Sequence, residues 1–135
     1  MKIALIAHDG KKADIVAFVM KRLSFFTNEN VIIVATQSTG QRILYSGVDN
    51  VIMVNSGPKG GDAEIAAMVA KKELDAVLFF RDPLDKHPHE PDVQMLMRVC
   101  DVHEVPLATN YSTAKILVDN FIEKIKVNEQ NFRYT

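Results

Sequence analysis

The chain has 135 residues, 47% of them hydrophobic and 24% charged, which suits one folded domain with a sizeable core and excludes intrinsic disorder. Lys and Arg number 16 against 17 Asp and Glu, a net charge of −1, so the balance offers no general attraction to nucleic acid or to an anionic membrane. Cys100 is the single cysteine, which excludes an internal disulfide and a zinc site built on several cysteines, and points to a reducing compartment.

In chain order, short apolar runs alternate with helix-period segments. The first run, Ile3–Ala7, stops at His8 and Asp9 and is too short for the core of a signal peptide. No stretch approaches the ~20 apolar residues of a membrane span, so a cytoplasmic location is expected. Ala13–Leu23 follows, with Ile15, Val16, Phe18, Val19 and Leu23 on one helical face. Val31–Ala35 reads as a second strand, Gly40–Tyr45 as a short helix and Val51–Val54 as a third strand. Asp62–Lys72 carries Ile65, Ala66, Met68 and Val69 at helical spacing, and Ala76–Phe80 is a fourth strand. Asp92–His103 carries Val93, Leu96, Met97, Val99 and Cys100; Pro106–Thr109 is the last strand; Ser112 caps a helix over Ser112–Ile125. Residues 126–135 form a polar tail without a period. Its Phe132 and Tyr134 suggest packing on a neighbouring subunit.

Each apolar run is too short for a helix and fits a strand buried on both faces. Strand and helix in regular alternation predict the α/β class: a five-stranded parallel sheet in a three-layer, Rossmann-like α/β/α sandwich. Residues 1–135 then make a single domain. His103 reads as a surface or boundary residue, Cys100 as a small core residue, and Met68, Met95 and Met97 as core fillers.

The polar clusters fall where the strands end. His8-Asp9-Gly10-Lys11-Lys12 follows the first strand and Thr36-Gln37-Ser38-Thr39-Gly40 the second. Ser56-Gly57-Pro58-Lys59-Gly60-Gly61-Asp62 follows the third; Arg81-Asp82-Pro83-Leu84 and then His87-Pro88-His89-Glu90-Pro91-Asp92 follow the fourth. Ligands of open parallel sheets bind beyond these carboxyl ends. The hydroxyls of Thr36, Ser38 and Thr39, a helix start, the Ser56-Gly57 turn and the Lys12 charge together suit a phosphate or carboxylate; ordinary helix capping is the alternative. Asp62, after two glycines that let a ligand come close, is either a helix cap or a working carboxylate. His87, His89 and Asp92 imitate metal ligands, but their spacing is no known ligand pattern. A catalytic His/Asp pair or a purely structural loop are the other choices.

His8-Asp9, Ser56-Gly57-Pro58 with Gly60-Gly61-Asp62, Phe79-Phe80-Arg81-Asp82-Pro83-Leu84 with Pro88-His89-Glu90-Pro91-Asp92, and Pro106-Leu107-Ala108-Thr109-Asn110 resemble the methylglyoxal synthase family, over about residues 1–120. Related folds that bind regulators, such as the allosteric domain of carbamoyl phosphate synthetase, share the architecture but are not expected to keep these blocks together.

The resemblance implies a lyase that converts dihydroxyacetone phosphate to methylglyoxal and inorganic phosphate, with no cofactor and no metal, assembled as a homohexamer. Carried over motif by motif, Asp62 is the base, His89 and Asp92 come from the second block, and His8, Asp9 and Lys12 from the first. The phosphate loops are Thr36, Gln37, Ser38 and Thr39 with Ser56 and Gly57. The family usually reads Thr-Gly-Thr-Thr-Gly where this chain has Thr36-Gln37-Ser38-Thr39-Gly40. Gln37 is therefore expected to turn away from the crevice. An arginine near the family's C-terminus reaches a neighbour's phosphate site, and Arg133 is the candidate. On this scheme Asp62 makes an enediolate, His89 donates to its oxyanion, and phosphate leaves by elimination and competes with substrate as product. Asp9 and Asp92 complete the catalytic set, orienting the site and helping to shuttle protons. The alternatives are a non-enzymatic regulatory domain that binds a phosphorylated metabolite, and a metal-dependent phosphatase, which a chelator would separate.

Overall fold

A computed structural model describes the backbone of residues 1–133 and the side chains through residue 129. Its five strands are β1 (Lys2–Ala7), β2 (Ile32–Thr36), β3 (Val51–Val54), β4 (Ala76–Phe80) and β5 (Leu107–Ala108). All pair in parallel, in the order β3-β2-β1-β4-β5. The helices are α1 (Lys12–Lys21), α2 (Leu23–Phe26), α3 (Gln37–Tyr45), α4 (Gly61–Ala70), α5 (Glu90–Val102) and α6 (Tyr111–Arg133). This is the three-layer α/β/α sandwich.

The pleat sorts each strand's apolar run onto two faces. Ile3, Leu5, Ile33, Leu78 and Phe80 face α1, α3 and α6, where Ile15, Phe18, Ile43, Val118 and Phe121 complete one core. Ala4, Ile6, Val34, Val77 and Phe79 face α4 and α5, where Ile65, Val69, Val93, Leu96 and Cys100 complete the other. Each fully buried large side chain contributes about 1.5–3 kcal/mol, so the central strands hold the fold from both faces at once.

Several boundaries differ from the sequence expectation. The first helix breaks at Arg22 (φ −124°, ψ 37°), and α2 follows as a separate turn. α3 begins at Gln37 rather than Gly40, so the hydroxyl-rich stretch is the first turn of a helix and not a loop. α6 is capped by Asn110, whose Oδ1 accepts from the Thr113 N–H at 3.0 Å, and not by Ser112. It runs on to Arg133 instead of ending at Ile125; no Pro or Gly interrupts the added stretch. The side chain of Arg133 and the proposed packing of the C-terminal segment lie outside the described residues. Among the described residues no helix is long and apolar enough to cross a membrane.

Candidate active site

The strand order reverses beside β1, since the chain returns from β3 at one edge to β4 on the far side of β1. A crevice opens beyond the carboxyl ends at such a switch point. Here it is a cavity of about 240 Å³ lined by residues from the ends of β1, β2, β3 and β4. A larger groove of about 720 Å³ between α1, α2 and α6 holds none of the expected site residues.

From the β1 end come His8, Asp9 and Lys12. His8 is buried, its N–H bonds to the Phe80 carbonyl at 3.1 Å, and its Nδ1 accepts the Asp82 N–H at 2.9 Å. The proton of the neutral ring therefore sits on Nε2, which is buried and has no partner. Burial, then the charges of His87, His89 and Arg81, push this imidazole down to about 4. Lys12 opens α1, is 9% exposed, and pairs with the carboxylate of Asp9, whose side chain is almost fully exposed. That pairing holds the Asp9 carboxyl below its ordinary range.

The β2 end supplies Thr36 and Ser38, both on the cavity wall. Thr36 is the N-cap of α3 yet makes no side-chain capping bond. Its hydroxyl and the first N–H groups of the nine-residue α3 remain available to an anion. Two expected residues lie elsewhere. The Gln37 side chain is exposed and does not line the cavity, so only its backbone N–H can serve there. Thr39 is fully buried and does not line the cavity either. Both follow from helical geometry, which turns positions 37 and 39 to other sides than 36 and 38.

The β3 end brings Ser56, Gly57 and Asp62. A short turn leads to Gly60, whose φ of 103° suits glycine, and α4 starts at Gly61. The N-cap is Gly60, so Asp62 sits inside the helix and does not cap it. It is 0% exposed, and neither carboxylate oxygen has a hydrogen-bond partner. Burial raises its pKa; His89 opposes the rise and Asp92 adds to it. The β4 end brings His87 and His89. His89 Nε2 lies 3.5 Å from Asp62 Oδ2. A Cβ on Gly57 would meet His89 Nε2 at 3.1 Å and both Asp62 oxygens at 3.3 Å, so glycine leaves the room between them. Asp92 is half-buried and does not line the cavity; it acts on Asp62 only through its charge.

A buried carboxylate with free lone pairs, an imidazole beside it, and a lysine with an uncapped helix start suit proton abstraction from an anionic substrate. Residues 18–109 match the family model for an MGS-like domain. The chain is 53% identical to the methylglyoxal synthase of Geobacillus thermodenitrificans over 118 residues, 87% of this chain and 81% of that one. The chain belongs to the methylglyoxal synthase family. It is 52% identical to the methylglyoxal synthase of Borrelia garinii over 89% of its own length and 94% of the relative's. The crystal structure of the methylglyoxal synthase from Elizabethkingia anophelis superposes with a TM-score of 0.79 at 40% identity, over 86% of this chain and 75% of that one. As a methylglyoxal synthase family member the chain is an enzyme, a lyase.

His87 also lines the cavity, where the sequence alone leaves its segment open between metal ligands, a catalytic His/Asp pair and a structural loop. Its ring stacks on His8 instead, with centroids 3.5 Å apart. The signal in the sequence was its place two residues before His89, across Pro88. Gly61 holds the geometry of this methylglyoxal synthase site from below. A Cβ there would lie 1.9 Å from the Asn55 carbonyl oxygen, so Gly61→Ala must move the backbone beside Asp62. Overpacking of this kind costs about 1–3 kcal/mol, and the expected result is a thermal midpoint lower by roughly 3–10 °C together with lost turnover. An unchanged melting curve would show that the turn yields freely.

Proposed function

We propose that the chain converts dihydroxyacetone phosphate to methylglyoxal and inorganic phosphate, with Asp62 as the base. The observation that carries this is the fully buried Asp62 carboxylate, without a hydrogen-bond partner and 3.5 Å from His89 Nε2. Asp62 takes a proton from the hydroxymethyl carbon beside the ketone, and the electron pair forms an enediolate. His89 donates to the developing oxyanion, and the Nε2–H of neutral His8 is a second donor. A neutral imidazole polarises the oxygen without handing over its proton. The hydroxyl on the former hydroxymethyl carbon then closes to a carbonyl as the double bond shifts and the neighbouring carbon–oxygen bond breaks; phosphate leaves with that hydroxyl proton, and the enolate released takes the proton held by Asp62 onto its methylene carbon to become methylglyoxal.

The departing dianion meets the Lys12 ammonium, the hydroxyls of Thr36, Ser38 and Ser56, and the N–H groups at the start of α3 and at Gly57. Asp9 steadies Lys12, and Asp92 tunes Asp62. The family resemblance extends the proposal to a single-domain cytoplasmic subunit of a homohexamer. The test is to incubate the pure protein with dihydroxyacetone phosphate and assay both products. Methylglyoxal and phosphate in equal amounts support the reading; phosphate without methylglyoxal refutes it.

Because product and substrate share the phosphate pocket, inorganic phosphate is expected to compete with substrate. Lys12→Met should raise KM by about tenfold or more, the cost of one charge-assisted contact, and weaken phosphate inhibition in parallel. The fold survives that change because the Asp9 carboxylate it abandons is 96% exposed. A rise in KM without loss of phosphate inhibition would remove Lys12 from the pocket.

A further inference from the structure

His87 lies between β4 and α5, with its ring flat against His8 at 3.5 Å and 16° between the planes. Phe79 meets the same His8 ring edge to face at 5.0 Å. The Asp82 N–H holds Nδ1. His8 is thus fixed at one nitrogen, at one edge and across one face, while its protonated Nε2 stays unpaired on a ring that lines the cavity. His87 Nε2 is also buried and without a partner, so no hydrogen bond at that atom competes with the stack.

The segment that carries His87 is tied at both ends. The Arg81 guanidinium donates to Glu90 at 3.1 Å, and Gln94 donates to the same carboxylate oxygen at 2.9 Å.

We propose that His87 is a positioning residue: its ring covers the face of His8, keeps water from it, and holds the His8 Nε2–H where the enediolate oxygen forms. The proposal rests on the reaction given above for the identity of that oxygen. The titratable and charged groups that act on His8 are His87, His89, Arg81 and Glu90, and Asp9, Lys12 and Asp62 share its cavity. Burial comes first among the causes that keep His8 neutral, and only Glu90 opposes them. The covering ring supplies part of that burial. A flat uncharged ring at position 87 should therefore do the same work, and a methyl group should not.

The experiment compares His87→Ala and His87→Phe by kinetics and by nitrogen-15 NMR of the histidine rings. His87→Ala is expected to lower kcat about tenfold, the scale of a slightly misplaced group, with KM within about threefold. His87→Phe should keep kcat within about threefold of the original. In the spectra, His8 should titrate near 4 in the unaltered protein, clearly higher in His87→Ala, and low again in His87→Phe. Unchanged kcat and unmoved His8 resonances in His87→Ala would overturn the proposal, as would a Phe variant as impaired as the Ala variant. The NMR arm needs no substrate, so it judges the stack by itself. Absence of methylglyoxal formation by the unaltered protein would instead overturn the assigned reaction.

Discussion

Asp62→Asn should leave a folded protein that makes no methylglyoxal. The amide matches the carboxylate in size but cannot accept the proton, and loss of a general base costs about 10²–10⁴ in rate. The variant should still bind phosphate within a few-fold, because the proposed anion contacts are Lys12 and the starts of α3 and of the β3 turn, which line the same cavity. The buried carboxylate titrates above its ordinary range, so the folded chain holds this proton more tightly than the unfolded chain. Stability is then lost as pH rises from the unfolded value through the folded one. Asn removes that liability, and the thermal midpoint at neutral pH should be no lower than in the unaltered protein. In the unaltered enzyme kcat/KM should fall as pH drops through the raised Asp62 value, at a pH above the usual carboxylate range. Turnover above about a tenth of normal in the variant would remove Asp62 as base.

His89→Gln should lower kcat by roughly 10² or more, the usual loss for one oxyanion donor. KM should change little, since the phosphate pocket is untouched. A second effect follows from the contact at 3.5 Å. His89 pulls the Asp62 pKa down; without it that pKa rises further, and the acid limb of the residual activity should move to higher pH. An unchanged kcat with a raised KM would make His89 a binding residue only, and the oxyanion would then depend on His8.

Strands buried on both faces announce themselves as unbroken apolar runs, and Ile3–Ala7 and Ala76–Phe80 could be read that way. The start of α3 could not. Ser38 and Thr39 are weaker helix formers, and the helix begins at Gln37 because β2 ends at Thr36 and its next residues turn back over the sheet. α6 overran its expected end for the opposite reason: a polar stretch has no periodicity to read, yet it continues a helix already nucleated.

At the site, spacing alone delivered four loops to one edge. It did not say which of them touch. That follows from strand order, which brings the β3 turn and the segment after β4 together over β1, and so sets Asp62 against His89. The sequence leaves Asp62 open between cap and working carboxylate; the helix starts at Gly61 with Gly60 as its cap, which removes the first of these. The stack of His87 on His8 has no sequence signature, because it depends on how an irregular segment folds back.

The central position of β1 bears on how the protein comes to exist on the ribosome. β1 is the first strand made, and its two neighbours arrive at very different times: Ile3 pairs with Ile33 from β2 and with Ala76 from β4. At about 5–20 residues per second, one edge of β1 stays open for about 1–5 seconds after β2 and β3 have emerged. During that interval an apolar strand with unpaired backbone groups is available to any other nascent chain, which is the hazard of slow parallel pairing. The insertion of β4 ends it. The same step carries in the segment that bears His87 and His89, so the candidate cavity and the protection of the weakest edge are completed together, and shortage of chaperone should trap chains that are both sticky and inactive.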